Sequence, residues 1–87
     1  MTIETEPVAD IDDLRREIDQ LDGAILEAVK RRTEVSKLIG KARMASGGTR
    51  LVHSREMKVI ERYSELGPEG KDLAMLLLRM GRGRLGH

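Results

Sequence analysis

Cysteine, tryptophan and phenylalanine are all missing from this 87-residue chain, and Tyr63 is its one aromatic residue. Without thiols there can be no disulfides, thiolate metal sites or cysteine nucleophiles. So few aromatics, against an abundance of Leu, Ile, Glu, Lys and Arg, argue for helices and against a sheet protein. No apolar run approaches the 18 residues of a membrane span, so no membrane association is expected. The opening Met1-Thr2-Ile3-Glu4-Thr5-Glu6-Pro7 shows no basic-then-apolar signal peptide, and the expected location is the cytoplasm. His53 and His87 are too isolated to mark a metal site, and no serine has a His/Asp pattern to activate it.

What the chain has is charge. Asp, Glu, Lys and Arg make up 36% of it, against 39% hydrophobic residues, and the net charge is only +1. That balance conceals a segregation. Residues 1–29 hold nine acids and two bases, whereas residues 30–58 hold nine bases and two acids, Glu34 and Glu56. A cationic block of this kind implies either an anionic partner or a solvated helix surface.

Residues 1–9 are polar, contain Pro7 and lack periodicity, and are expected to be a disordered tail; residues 10–87 are expected to form one small domain. Asp10 or Asp12 can cap a helix. From there Leu14, Ile18, Leu21, Ile25, Ala28, position 32, Val35, Ile39 and Ala42 keep an unbroken 4-3-4-3 rhythm. Ser46-Gly47-Gly48 stops it. A helix over roughly residues 12–45 is about 51 Å long, whereas a compact domain of this size is roughly 30 Å across. Its apolar stripe therefore outruns its own chain, and an intertwined homodimer is the simplest cover. A second helix is expected over roughly 51–66, ending at Gly67-Pro68. Pro68 opens a third, whose apolar face is expected to be Leu73, Leu76, Leu77 and Met80. The expected fold is all-α, with three helices per chain and a very long first helix.

The informative residues interrupt the apolar pattern. Arg32 occupies a seam position of the first helix. Arg43, eleven residues on, lies only about 20° around the helix and about 16 Å along it. Glu56 sits in the middle of the second helix's apolar face, four residues after Val52, with Arg55 beside it. Glu56 could pair with Arg32 or Arg43 as a structural salt bridge, but one carboxylate does not balance three arginines. Inward-facing positive charge needs anionic partners, and arginine suits bidentate carboxylate recognition, so a small dicarboxylate fits. Arg15 lies about 25 Å from Arg32. It can enter such a pocket only from a second chain, or else form a surface pair with Asp19.

These positions resemble the small all-helical chorismate mutases (the AroQ class). The resemblance is carried by Leu14-Arg15-Arg16-Glu17-Ile18-Asp19 with Leu21-Asp22, by Lys30-Arg31-Arg32, by Gly40-Lys41-Ala42-Arg43 and by Arg55-Glu56. Together these stretches span roughly residues 12–66, and their mutual spacing agrees with the family's. It implies an intertwined dimer with two sites and a Claisen rearrangement of chorismate to prephenate, in phenylalanine and tyrosine biosynthesis. Such a pericyclic step needs no cofactor, metal or nucleophile; it needs the dianion held in a compact conformer with cations near the breaking ether bond. Carried over, Arg32 and the partner subunit's Arg15 bind the substrate carboxylates and Arg43 stabilises the ether oxygen. Arg55 assists binding, and Glu56 accepts a hydrogen bond from the substrate hydroxyl.

Two departures stand out. Val52 replaces an Asp that contacts the substrate hydroxyl in many relatives, leaving only a backbone contact. The third helix has no match for a glutamine that binds the ether oxygen, a loss for which Arg82 compensates. The short length and the Gly/Arg-rich end resemble the intracellular subgroup, which implies weak activity alone and activation by DAHP synthase, with Arg82-Gly83-Arg84-Leu85-Gly86-His87 ordered by that partner. The competing classes are a basic nucleic-acid-binding module and a coiled-coil adaptor. Arginines on the packed side argue against nucleic acid as a partner, and charged residues in the seam argue against an adaptor.

Overall fold

The computed structural model of the chain describes residues 10–48 and 53–82, and these residues form three α-helices. They are α1 (Ile11–Ala45), α2 (His53–Tyr63) and α3 (Pro68–Arg82), with a 3-10 turn at Ser64–Leu66 prolonging α2. Among the described residues there is no strand. Val52, the first nine residues and the segment 83–87 lie outside the described residues.

Of the two candidate caps, Asp10 is the one used for α1. Its backbone is extended, and its carboxylate accepts the Asp12 backbone N–H at 3.0 Å. Asp12 and Asp13 follow in the first turn and Arg43 lies in the last, both favourable to the helix dipole. At the far end the Ser46 hydroxyl donates to the Arg43 carbonyl at 3.0 Å, and Gly47 turns the chain at φ 85°. The second junction works similarly: Gly67 adopts φ 90°, and Pro68, which has no N–H to lose, starts α3.

Between its caps α1 runs for 35 residues, about 52 Å. The chain extends 63 Å in its longest direction, with a radius of gyration of 18.6 Å, against about 12 Å for a compact chain of this length. No residue of α1 is buried. Leu14, Ile18, Leu21 and Ile25 are each about half exposed along its N-terminal half. The buried apolar core of the described residues is Val59 of α2 with Ala74 and Leu77 of α3. α3 packs against both α1 and α2, whereas α1 and α2 do not pack against one another.

The packed face of α3 differs from the expected one. Gly70, Ala74, Leu77 and Gly81 are buried, while Leu73, Leu76 and Met80 are exposed. The buried set keeps the 4-3-4 spacing but lies about a quarter-turn around the helix from the large residues. Small side chains let backbones come close. A Cβ at Gly70 would overlap the Tyr63 carbonyl oxygen and stand 3.3 Å from Leu66 Cβ. Leu73, Leu76 and Met80 thus join the α1 stripe as apolar surface that one chain leaves uncovered.

Candidate active site

Within the cationic block, neighbouring residues have different fates. Lys30 pairs with Glu27 at 3.4 Å and Arg31 with Glu34 at 3.1 Å, all about two-thirds or more exposed. Those are solvated surface pairs of small energetic weight. Arg32 turns the other way. It is half-buried, and its Nη1 donates to the Leu77 carbonyl of α3 at 3.2 Å. A helical carbonyl has a second lone pair, so it can accept this bond without losing its place in the helix.

Glu56, in the first turn of α2, is bound by the last residue of α3. Arg82 donates to the same carboxylate oxygen, Oε2, from Nε at 3.1 Å and from Nη2 at 2.7 Å. The two side chains retain 27% and 20% of their exposure, so the pair is largely withdrawn from water. The partner of Glu56 is therefore Arg82, neither Arg32 nor Arg43. Among the described residues Oε1 of Glu56 takes no hydrogen bond. One oxygen is fixed and the other remains an open acceptor.

The structure thus brings Arg32, Glu56 and Arg82 to the C-terminal end of α3, each from a different helix. Leu77, whose carbonyl receives Arg32, was legible in the sequence only as a core leucine. Arg43 is half-buried in the last turn of α1, and its stem lies beside Gly48, where an added Cβ would come within 2.9 Å of Cγ. Arg55 is exposed on α2 and Arg15 is exposed near the start of α1. Among the described residues the side chains of Arg15, Arg43 and Arg55 have no hydrogen-bond or ion-pair partner. Asp19 does not pair with Arg15; the ion pair in that turn is between Arg16 and Asp13. Val52 lies outside the described residues. Among the described residues no group of His, Asp or Glu is clustered to hold a metal ion, and no helix is long and apolar enough to cross a membrane.

Helix order and the bridging role of α3 define a class: small all-α proteins in which the first helix outruns its own chain. The chain belongs to the chorismate mutase type II family, which it matches over residues 14–79. It is 80% identical over 85 residues to a protein of Mycobacterium tuberculosis named intracellular chorismate mutase, covering 98% of this chain and 81% of that one. A protein of the same name from Mycolicibacterium smegmatis is 80% identical over 83 residues, covering 94% and 80%. Among solved structures, a chain in the non-covalent complex of DAHP synthase and chorismate mutase from Corynebacterium glutamicum, with bound transition state analog, matches with a TM-score of 0.81 at 60% identity. It covers 87% of this chain and 93% of that one. Chorismate mutases are isomerases, and the protein is an enzyme of that kind.

Proposed function

We propose that two copies of this chain interlock, and that the rearrangement of chorismate to prephenate takes place in two sites shared between them. Each site takes Arg32, Arg43, Arg55, Glu56 and Arg82 from one copy and Arg15 from the other. The observation that carries this is the bridge at the end of α3, where Arg32 and Glu56 are held by Leu77 and Arg82. The uncovered stripe of α1 supports the second copy, because apolar surface of that length is stable only when removed from water.

In the reaction the ether C–O bond breaks as a C–C bond forms, within one molecule. No proton has to move and no group leaves, so the protein's task is to hold the substrate folded and to favour the charge growing on the ether oxygen. Arg32 and the partner subunit's Arg15 grip the two carboxylates. Arg43 stands by the ether oxygen, Arg55 adds to binding, and position 52 offers only its backbone. Arg82 adds a cation and fixes Oε2 of Glu56, leaving Oε1 to accept from the substrate hydroxyl. Residues 10–87 act as one catalytic domain in the cytoplasm.

The complex seen for the Corynebacterium glutamicum protein supports a DAHP synthase as partner of this chain too, with Arg84–His87 as the element that responds to it. The test is the loss of chorismate absorbance, followed for the protein alone and with DAHP synthase, and repeated after deletion of Arg84–His87. Slow turnover alone, acceleration by the partner and loss of that acceleration on deletion are expected. Equal acceleration of both forms overturns the role of the tail, and no turnover in either condition overturns the site.

A further inference from the structure

Gly81 is buried in the last turn of α3, with no conformational need to be glycine. The described glycines with positive φ are Gly47 and Gly67, and Gly81 is in ordinary helix. Inside a helix, glycine is less favourable than alanine. What the position needs is space. A Cβ built there would overlap the hydroxyl of Ser36 and stand 2.7 Å from Ser36 Cβ and 4.0 Å from Nη1 of Arg32. We infer that Gly81, facing Ser36, is a positioning residue for the reaction: the absence of its side chain sets the approach of α3 to α1 that holds Arg32 and Glu56 in register.

The inference rests on Arg32 and Glu56 belonging to the site. Ser36 is one turn beyond Arg32 on the same face of α1. Gly81 is one turn beyond Leu77, whose carbonyl receives Arg32, and it immediately precedes Arg82, which binds Glu56. Since α1 and α2 do not pack against each other, within one chain no other contact between the described helices fixes the distance between these two site residues. The opposite end of α3 is seated at Gly70 on the Tyr63 carbonyl. A methyl group at position 81 would therefore swing the C-terminal end of α3 away from α1. Bringing a 2.7 Å approach out to ordinary carbon contact requires about 1 Å. The Arg32 to Leu77 bond, at 3.2 Å, does not survive such a shift. Arg82 and the Glu56 carboxylate move with the same turn.

The experiment varies chorismate with the full-length chain and its Gly81→Ala variant, at a temperature well below unfolding. Helix content and thermal unfolding are measured alongside. A 1 Å error in placement is worth up to about a hundredfold. The expected result is a kcat/KM lower by about tenfold or more, with most of the loss in KM, because Arg32 contacts the substrate before and during reaction. A purely structural role would reduce the folded fraction, and hence kcat, without moving KM. Rescue follows the geometry. Gly81→Ala with Ser36→Ala removes the hydroxyl clash but keeps the Cβ contact, whereas Gly81→Ala with Ser36→Gly removes both, so KM should fall towards the wild-type value in that order. If Gly81→Ala alone does not fold, the two double variants carry the comparison. An unchanged KM, or equal KM in the two double variants, overturns the inference. Arg32→Ala tests the underlying site separately: wild-type KM in that variant removes the site and the inference together, whereas a raised KM there beside a normal Gly81→Ala removes the inference alone.

Discussion

Truncating Arg82 to alanine should lower kcat/KM by about tenfold to thirtyfold through its hold on Glu56. The size follows from the contact. Two N–H groups, at 3.1 and 2.7 Å, end on one carboxylate oxygen between side chains that keep 27% and 20% of their exposure. A hydrogen bond to a charged group nets about 1.5–3 kcal/mol. Sharing one acceptor and retaining some water put the pair near the low end, about 1.5–2 kcal/mol. If all of that serves to hold Glu56 for the transition state, it amounts to about ten- to thirtyfold at 1.36 kcal/mol per factor of ten. The assay is a double-mutant cycle on chorismate turnover with Arg82→Ala, Glu56→Ala and both together. In the Glu56→Ala background the loss of Arg82 should cost clearly less, the difference between the two losses being the coupling and the remainder the cation that Arg82 adds to the site. Equal losses in both backgrounds would refute the reasoning and leave Arg82 acting independently of Glu56. Arg82→Lys, which keeps the charge but not the paired donors, should recover only part of the rate.

Other expectations concern packing and the substituted pocket position. Gly70→Ala places a methyl against the Tyr63 carbonyl, which is backbone and cannot swing aside. It should destabilise the protein by about 2 kcal/mol in urea unfolding, overpacking outweighing the gain in helix propensity; unchanged stability would contradict the seating of α3. Gly23→Ala is the opposite case, with nothing within 4 Å of the added carbon and a position facing away from the apolar stripe of α1. It should stabilise by about 1 kcal/mol, and a loss instead would place that face under another chain. Val52→Asp should raise turnover in the absence of DAHP synthase by restoring a side-chain acceptor for the substrate hydroxyl. No gain from a folded Val52→Asp protein would count against the placement of position 52 in the pocket.

The course of the backbone was largely legible in the residues, for local reasons. The stripe from Leu14 to Ala42 keeps one rhythm for eight turns, and capping and stop residues at Asp10 and at Ser46-Gly47-Gly48 bound it. Gly67-Pro68 marked the last junction because left-handed backbone and a missing N–H are properties of single residues. The face of α3 was misread for a physical reason. Hydrophobic periodicity registers Leu73, Leu76 and Met80, whereas the close packing uses Gly70, Ala74 and Gly81, which carry little hydrophobic signal. The site shows the same division. Arg32 and Glu56 were conspicuous as charges in apolar registers, but the partner of each depends on where α3 comes to rest, which no local spacing encodes. Arg15 illustrates the remaining gap: within one chain it has no partner among the described residues, and its proposed place depends on a second copy.

Mixing two disabled proteins tests the shared site most directly. Arg15→Ala and Arg32→Ala homodimers should each be nearly inactive towards chorismate, since every site lacks one carboxylate-binding arginine. Unfolded together and refolded as an equal mixture, half of the dimers should be mixed, each with one intact site, returning roughly a quarter of wild-type activity. Activity in the refolded mixture no higher than the average of the two homodimers would contradict a site built from both chains.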